Sequence, residues 1–216
     1  MRLRWFGIIG MIAALMGMVA DVLLLYVPNG GYEKWNYLFF EQIPAGRIWW
    51  GHFIGVFCIP FELFGFWLVY KAVEQAGKRY VLPVLVPIIF VTVWGVAYHA
   101  MLCGVATLIH LGKRVNLRPD VFEHSLGQLV SYLEPLGYLL FGIFAFISAG
   151  LFYLIRYKST LYPRWMAWVN PFFFYLACVA LYLLFPQHIG GMAVVSGFSL
   201  SIFGTLAVST FVLWNR

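Results

Sequence analysis

The chain has 216 residues, of which 63% are hydrophobic and only 10% are charged. A soluble domain is about 45–50% apolar and about 25% charged, and it must cover its surface with polar groups. This composition excludes a soluble enzyme, a disordered chain and a secreted disulfide scaffold, and it predicts an integral membrane protein. The net charge of +6 comes from basic residues that lie between apolar runs, which indicates membrane orientation and no nucleic-acid binding.

Six apolar runs are long enough for helices that cross a hydrocarbon layer about 30 Å thick, which takes about 20 residues. They lie near residues 5–27, 47–72, 81–110, 126–155, 165–185 and 189–213. The expected fold class is an all-α integral membrane protein, with six transmembrane helices in one bundle. Because the connections are short, residues 1–216 are expected to form a single transmembrane domain.

Six spans place both termini on the same side of the membrane. Nine basic residues fall on that side and five on the other. The positive-inside rule therefore predicts that both termini are cytoplasmic, in a multi-pass protein of the cell membrane. The first run follows Arg2 and Arg4 and continues past a bulky candidate cleavage position, so we expect an uncleaved first helix.

The longest connection, between Pro28 and Arg47, is rich in aromatic side chains. Such a segment is typical of the membrane interface, where it forms either an ordinary aromatic belt or a lid over the mouth of the bundle. Its aromatic members are Tyr32, Trp35, Tyr37, Phe39 and Phe40.

Small residues recur at spacings of three and four along the apolar runs, and such stripes indicate where membrane helices pack. In each of the first four runs the stripe leads to an ionisable residue. These four residues are Asp21, Glu62, His99 and Glu134. We expect all four to face one interior space. In the last run Gly190, Gly197 and Gly204 recur at every seventh position, which predicts a packing seam.

The depth of these groups follows from a helical rise of about 1.5 Å per residue. Asp21, His52, His99 and Glu134 are expected to share a layer in the outer half of the membrane, and Glu62 to lie deeper. Pro60 precedes Glu62 and predicts a kink in the second helix.

This pattern favours a membrane-embedded enzyme that acts on a lipid-like or isoprenoid substrate. Asp21, Glu62 and Glu134 are the candidate catalytic acids and bases, because buried carboxyls suit proton transfer. His52 and His99 are candidate ligands for a divalent metal such as zinc, which would support hydrolysis. Without a metal, the same groups suit acid–base isomerisation or cyclisation. The expected substrate pocket includes Tyr138, Arg47 and His188.

Three alternatives remain open on the sequence. Protonatable groups inside a bundle also suit a proton-coupled small-molecule transporter. The same groups could be satisfied internally in a structural or binding bundle. A haem held between His52 and His99 is a further alternative. The expected partners are membrane lipid and a hydrophobic small molecule, with no nucleic acid, and a homo-oligomer stays an open alternative.

Overall fold

The computed structural model describes residues 3–28, 30 and 37–215, and within them every regular element is a helix. The α-helices are α1 (Leu3–Leu25), α2 (Ala45–Cys58), α3 (Glu62–Val73), α4 (Lys78–Arg114), α5 (Pro119–Tyr157), α6 (Pro171–Leu184), α7 (Ile189–Val195) and α8 (Gly197–Val212). Short 3₁₀ helices occur at Leu38–Gln42, Ile59–Phe61, Glu74–Ala76 and Arg164–Trp168. Several residues used in the predictions of orientation and of an aromatic lid lie outside the described residues: Arg2, Tyr32, Lys34, Trp35 and Arg216.

Four of the described helical runs are long and apolar enough to cross a membrane, which agrees with the predicted class of protein. They are Leu3–Leu25, Ala45–Ala76, Lys78–Arg114 and Pro119–Tyr157. The short helices α7 and α8 would add a fifth span if they count together, although they are bent by 85° relative to each other. Helix α6 has 14 residues, or about 21 Å at the α-helical rise, which is shorter than a hydrocarbon layer.

The second run is interrupted at Pro60, as the sequence predicts. Helix α2 ends at Cys58, a 3₁₀ turn covers Ile59–Phe61, and α3 begins at Glu62. Proline causes such a break because it lacks a backbone N–H and its ring clashes with the preceding turn. The break places Glu62 in the first turn of α3, where its side chain is buried.

The fifth run begins later than the hydropathy predicts. Residues Arg164–Trp168 form a 3₁₀ helix, and α6 starts only at Pro171. The Asn170 side chain accepts a hydrogen bond from the Phe172 amide at 3.2 Å, which caps the first turn. Proline at the first helical position reinforces this start. Apolar composition alone did not reveal this boundary.

The small-residue stripe of α1 confirms the packing prediction for the first run. Helix α1 packs against α2, α3 and α8 and is central to the bundle. At the closest crossing, a Cβ on Gly10 would overlap the backbone of Gly65 in α3. Glycine at both positions lets the two backbones approach each other.

The small-residue stripe of α5 faces away from the bundle interior. The prediction that the stripe of the fourth run faces this interior is therefore wrong. A Cβ at Gly127 or Gly142 would meet nothing within 4 Å, so these glycines border open space. The buried face of α5 instead consists of large apolar side chains. A seven-residue repeat of them is Leu126, Leu133, Leu140, Ile147 and Leu154. These residues fill the space between α5 and its neighbours, and the small residues are left facing outward.

The glycines of the last run form the predicted seam, and the seam lies against α6. A Cβ on Gly197 would be 3.0 Å from the Tyr175 ring, and one on Gly204 would be 3.1 Å from the Phe174 ring. The run is not one straight helix, however, because the chain turns at Ser196 between α7 and α8. The first turn of α8 is thereby brought to the interior of the bundle.

Candidate functional site

An interior cavity of about 130 Å³ is lined by residues from α1, α3, α4, α5, α7 and α8. Most of its lining is apolar. The polar side chains that line it are Asp21, Glu62, Thr92, Tyr98, His99 and Ser199. Three of the four ionisable residues that the sequence predicts to converge therefore do so.

Asp21 projects from α1 between a hydroxyl group and an imidazole. The Ser199 hydroxyl donates a hydrogen bond to Asp21 Oδ2 at 2.7 Å. On the other side, Asp21 Oδ1 lies 3.7 Å from Nδ1 of His99. Because Ser199 bonds to the carboxyl and not to the imidazole, this trio lacks the contact that would activate a serine nucleophile.

The orientation of His99 is fixed by the backbone of α2. Its Nε2 lies 2.9 Å from the carbonyl oxygen of Gly51, which can only accept, so Nε2 carries a hydrogen. A Cβ on Gly55 would overlap this same ring, so glycine is required for the approach of α4 to α2. In the neutral imidazole, Nδ1 then holds the lone pair and faces Asp21. A single proton can thus be held between His99 and Asp21.

Glu62 lines the cavity from the first turn of α3. Its side chain is buried, with 3% of the residue exposed, and no hydrogen bond is formed to it within the described part of the chain. Its Oε1 lies 3.4 Å from the point that a Cβ of Gly17 would occupy, and Ser199 Oγ lies 3.1 Å from that point. Glu62 is close enough to Asp21 for the two carboxyls to interact electrostatically.

The two remaining polar side chains of the lining face other partners. Thr92 donates its hydroxyl hydrogen to the Ile88 carbonyl oxygen at 2.9 Å, within α4. The Tyr98 hydroxyl is hydrogen-bonded to Tyr37 and lies near Glu134. The protonatable centre of the cavity is therefore Asp21, Glu62 and His99, which we call the acid–imidazole cluster.

The two predicted metal ligands do not form a ligand set. The rings of His52 and His99 are nearly parallel, with centroids 6.5 Å apart, and the Gly51 carbonyl takes up one nitrogen of His99. His52 Nδ1 is buried without a hydrogen-bond partner. Among the described residues, no group of three or more His, Cys, Asp or Glu side chains is placed to hold a metal ion. These residues therefore do not fit a zinc centre.

Three other predicted site residues, Glu134, Tyr138 and His188, lie outside the lining of this cavity. Glu134 follows the outward-facing stripe of α5 and is half-buried. Tyr138 is 65% exposed, on an outer groove beside Pro87 and Phe90. His188 lies in the exposed turn before α7. The sequence does not show which side of a helix faces the bundle, so it could not relate Glu134 and Tyr138 to this cavity.

Arg47 is predicted to line the substrate pocket, and the structure places it at the C-terminal end of α1. Its guanidinium donates to the carbonyl oxygens of Val22 and Tyr26, at 2.8 and 2.9 Å. These carbonyls belong to the C-terminal end of α1, where a cation is favourable. Arg47 therefore caps α1 and does not line the cavity.

Sequence reasoning missed Ser199, which holds Asp21. A signal was present, because the last apolar run carries several hydroxyl side chains that are all buried. They are Ser196, Ser199, Ser201, Thr205, Ser209 and Thr210. Serine and threonine are common in membrane-helix packing, so this pattern did not distinguish the one that contacts the acid.

Residues 1–216 match a family described only as a family of unknown function, DUF6796. No curated protein and no solved structure matches the chain.

Proposed function

Because the chain belongs to DUF6796, whose description names no function, we propose one from the geometry of the interior. The protein is a membrane-embedded enzyme that acts on a lipid-like or isoprenoid substrate by proton transfer. The reaction is an acid–base isomerisation in which a carbon–carbon double bond moves along the chain. Asp21 and Glu62 are the groups that exchange protons with the substrate.

One observation carries this proposal. Two carboxyls from different helices, Asp21 on α1 and Glu62 on α3, share an apolar cavity inside the bundle. A charged side chain at membrane depth costs at least about 2.5–3.5 kcal/mol, so such groups are rare unless they have a use. A structural role would require internal partners for both carboxyls, and Glu62 has no hydrogen bond within the described residues. This favours a chemical role over a structural one.

The reaction needs one acid and one base at opposite ends of the reacting carbons. The protonated carboxyl gives its hydrogen to one alkene carbon, and positive charge develops on the neighbouring carbon. The ionised carboxylate then removes a hydrogen from the carbon on the far side, and the double bond forms one position along. The substrate keeps its formula, and one proton has moved from one carboxyl to the other.

His99 exchanges a proton with Asp21, which is the member of the pair that it contacts. Its Nδ1 lies 3.7 Å from Asp21, within reach of a small movement, while the Gly51 carbonyl holds the ring in place through Nε2. A proton can pass between Asp21 and Nδ1 without rotation of the ring. Ser199 holds Asp21 from the other side and orients its carboxyl plane.

The predicted divalent metal, such as zinc, belongs to an alternative reaction. A metal-dependent hydrolysis would use His52 and His99, and the described side chains do not bring a third ligand to them. No step of the proposed reaction runs through a metal. The proposed partners are membrane lipid and a hydrophobic small molecule, and the oligomeric state is left open.

We propose the topology of the sequence analysis as the setting for this chemistry. The single domain crosses the cell membrane six times, with both termini in the cytoplasm. The short α6 and the bent pair of α7 and α8 would supply the last two crossings. Reporter fusions at both ends test this, and a periplasmic or extracellular signal at either terminus would refute it.

Deuterium incorporation tests the reaction. The purified protein is incubated in D₂O with a total membrane lipid extract, and the unsaturated lipids are analysed by mass spectrometry. An isomerase that works by proton transfer introduces solvent deuterium at carbon in one lipid class. Absence of carbon-bound deuterium in every class, with correctly folded protein, would refute the proposal.

Two substitutions make this experiment specific. Glu62→Gln is expected to abolish incorporation, because the amide neither donates nor removes the required proton. Glu123→Gln is the control, since it changes an exposed acid of α5 that lies outside the cavity lining. Equal loss of activity in both variants would argue against a role for the cavity.

A proton-coupled transporter is the second candidate, and one observation favours it. The last run is broken at Ser196 by 85°, and the first turn of α8 meets the cavity through Phe198 and Ser199. Broken helices that end at an interior site are typical of secondary transporters. Transport predicts proton movement into liposomes when substrate is added, whereas the enzyme converts its substrate in detergent without a gradient.

A further inference from the structure

We propose that the acid–imidazole cluster is a binding site for a lipophilic cation, whose positive group is a protonated tertiary amine or a substrate carbon that carries positive charge. This inference rests on the proposed function, because it names the charge that the cavity stabilises. It also predicts a class of ligand that can be measured without turnover.

The charge balance of the cavity is the first argument. Two carboxyls line it, and His99 is the only basic side chain among the described residues of its lining. The Arg47 guanidinium, at the same end of α1 as Asp21, donates to the carbonyl oxygens of Val22 and Tyr26 and does not line the cavity. The protein therefore supplies one basic partner for two acids, and a cation entering the cavity supplies the second.

The unpartnered carboxyl is the second argument, because it marks where the cation binds. Glu62 is 3% exposed, lines the cavity and makes no hydrogen bond within the described ranges. Asp21, by contrast, has Ser199 at 2.7 Å and His99 at 3.7 Å. The Glu62 carboxyl is therefore free to accept a hydrogen bond from a ligand in the cavity. An ammonium hydrogen donated to Glu62 would satisfy this group without displacing an existing hydrogen bond.

The walls of the cavity are the third argument. Aromatic rings of Tyr98, Phe144 and Phe198 line it together with aliphatic side chains. The rings of Phe144 and Phe198 meet edge to face, with centroids 4.9 Å apart, so they form a connected wall. Aromatic faces attract cations, and more strongly where water is excluded. The cavity thus combines negative groups with a lining that accepts an alkylated cation and disfavours a small hydrated one.

The lining also leaves room for an alkyl tail between α4 and the break before α3. A Cβ on Gly95 would meet only Ile59, at an ordinary contact distance of 3.8 Å. Gly95, Ile59 and Val91 are all half-buried. A ligand whose charged head lies at Glu62 and whose tail passes Gly95 toward the lipid would use both the carboxyl group and the open space beside Gly95.

Binding of an alkyl amine to the full-length protein tests the inference. The probe is N,N-dimethyloctylamine, which is protonated at neutral pH, and the uncharged comparison is octanol. Isothermal titration is carried out on protein in nanodiscs, with empty nanodiscs to measure partition into lipid. We expect saturable binding of the amine and only partition of octanol. Equal binding of amine and octanol to the unaltered protein would overturn the inference.

Variants locate the site. Truncating one partner of a buried charge pair costs at least about 2 kcal/mol, so Glu62→Gln is expected to weaken amine binding about thirtyfold or more. Glu123→Gln, at an exposed acid of α5 outside the cavity lining, is expected to bind as the unaltered protein does, and thermal unfolding verifies that both variants fold. If Glu62→Gln fails to fold, binding of the amine and of octanoate to the unaltered protein is compared instead. A cavity with negative charge must bind the amine more tightly, and equal or tighter binding of octanoate would overturn the inference.

The outcomes separate this inference from the proposed function. Deuterium incorporation without amine binding would overturn the cation site and leave the isomerase standing. Amine binding that depends on Glu62, without deuterium incorporation in any lipid, would leave the cation site standing and remove the isomerase.

Discussion

The crossing of α1 and α3 provides the sharpest test of the packing described here. Gly10→Ala would place a methyl group against the Gly65 backbone, with the Leu206 side chain 3.1 Å away. Backbone atoms cannot rotate aside, so the helices must separate. Overpacking of this kind costs about 1–3 kcal/mol. Alanine regains about 1 kcal/mol of helix propensity over glycine. The net loss in free energy of unfolding is therefore expected to be about 0–2 kcal/mol, with the upper part of this range favoured because the overlap is with backbone atoms.

The control is a glycine-to-alanine substitution at a position where the added methyl group meets no other atom. A Cβ at Gly142 in α5 would meet nothing within 4 Å, so Gly142→Ala is expected to be neutral or to stabilise by up to about 1 kcal/mol. Both variants are compared by unfolding in mixed detergent micelles with increasing dodecyl sulfate, followed by circular dichroism. If Gly10→Ala unfolds at the same or a higher dodecyl sulfate fraction than Gly142→Ala, the close crossing of α1 and α3 is incorrect.

Three further substitutions test other contacts. Arg47→Gln removes the cation that caps α1 and is expected to cost about 1–2 kcal/mol in the same unfolding assay; unchanged stability would contradict the cap. Thr210→Val removes a buried hydroxyl without a hydrogen-bond partner and should leave stability unchanged or raise it, so a clear loss would reveal a partner. His110→Ala removes a 3.0 Å contact to the Phe40 carbonyl; hydrogen exchange in Leu38–Gln42 should become roughly fivefold faster, and unaltered exchange would mean that His110 does not hold this segment.

The candidate site could be predicted in part from the sequence because glycine stripes report close helix contacts. For α1 this reasoning leads directly to Asp21, since Gly10 and Gly17 lie where other helices approach. It fails for Glu134, because on α5 the interior is filled by large side chains such as Leu133 and Leu140. A small residue therefore indicates a contact only where the partner helix comes close, and the sequence of one helix does not contain that distance.

The contacts that complete the site join residues that are far apart in the chain. Ser199 reaches Asp21 across a separation of 178 residues, and His99 reaches Gly51 across 48. Neither partner has a local pattern that identifies it, since hydroxyls and glycines are common in membrane helices for packing reasons. The bend at Ser196 brings Ser199 to the cavity. No proline lies at this bend, so the sequence did not predict it.

Composition and spacing by themselves determined that this chain is helical with several runs apolar enough to cross a membrane, that α2 ends near Pro60 and that Asp21, Glu62 and His99 share an interior space. These properties follow from hydrophobicity, backbone chemistry and the cost of buried charge, all of which act locally. The tertiary structure decided which face of α5 is buried, that Arg47 caps α1 and that Glu62 is left without a partner. In a membrane the lipid and the protein interior are both apolar, so hydropathy cannot distinguish them, and only the fit between distant helices does.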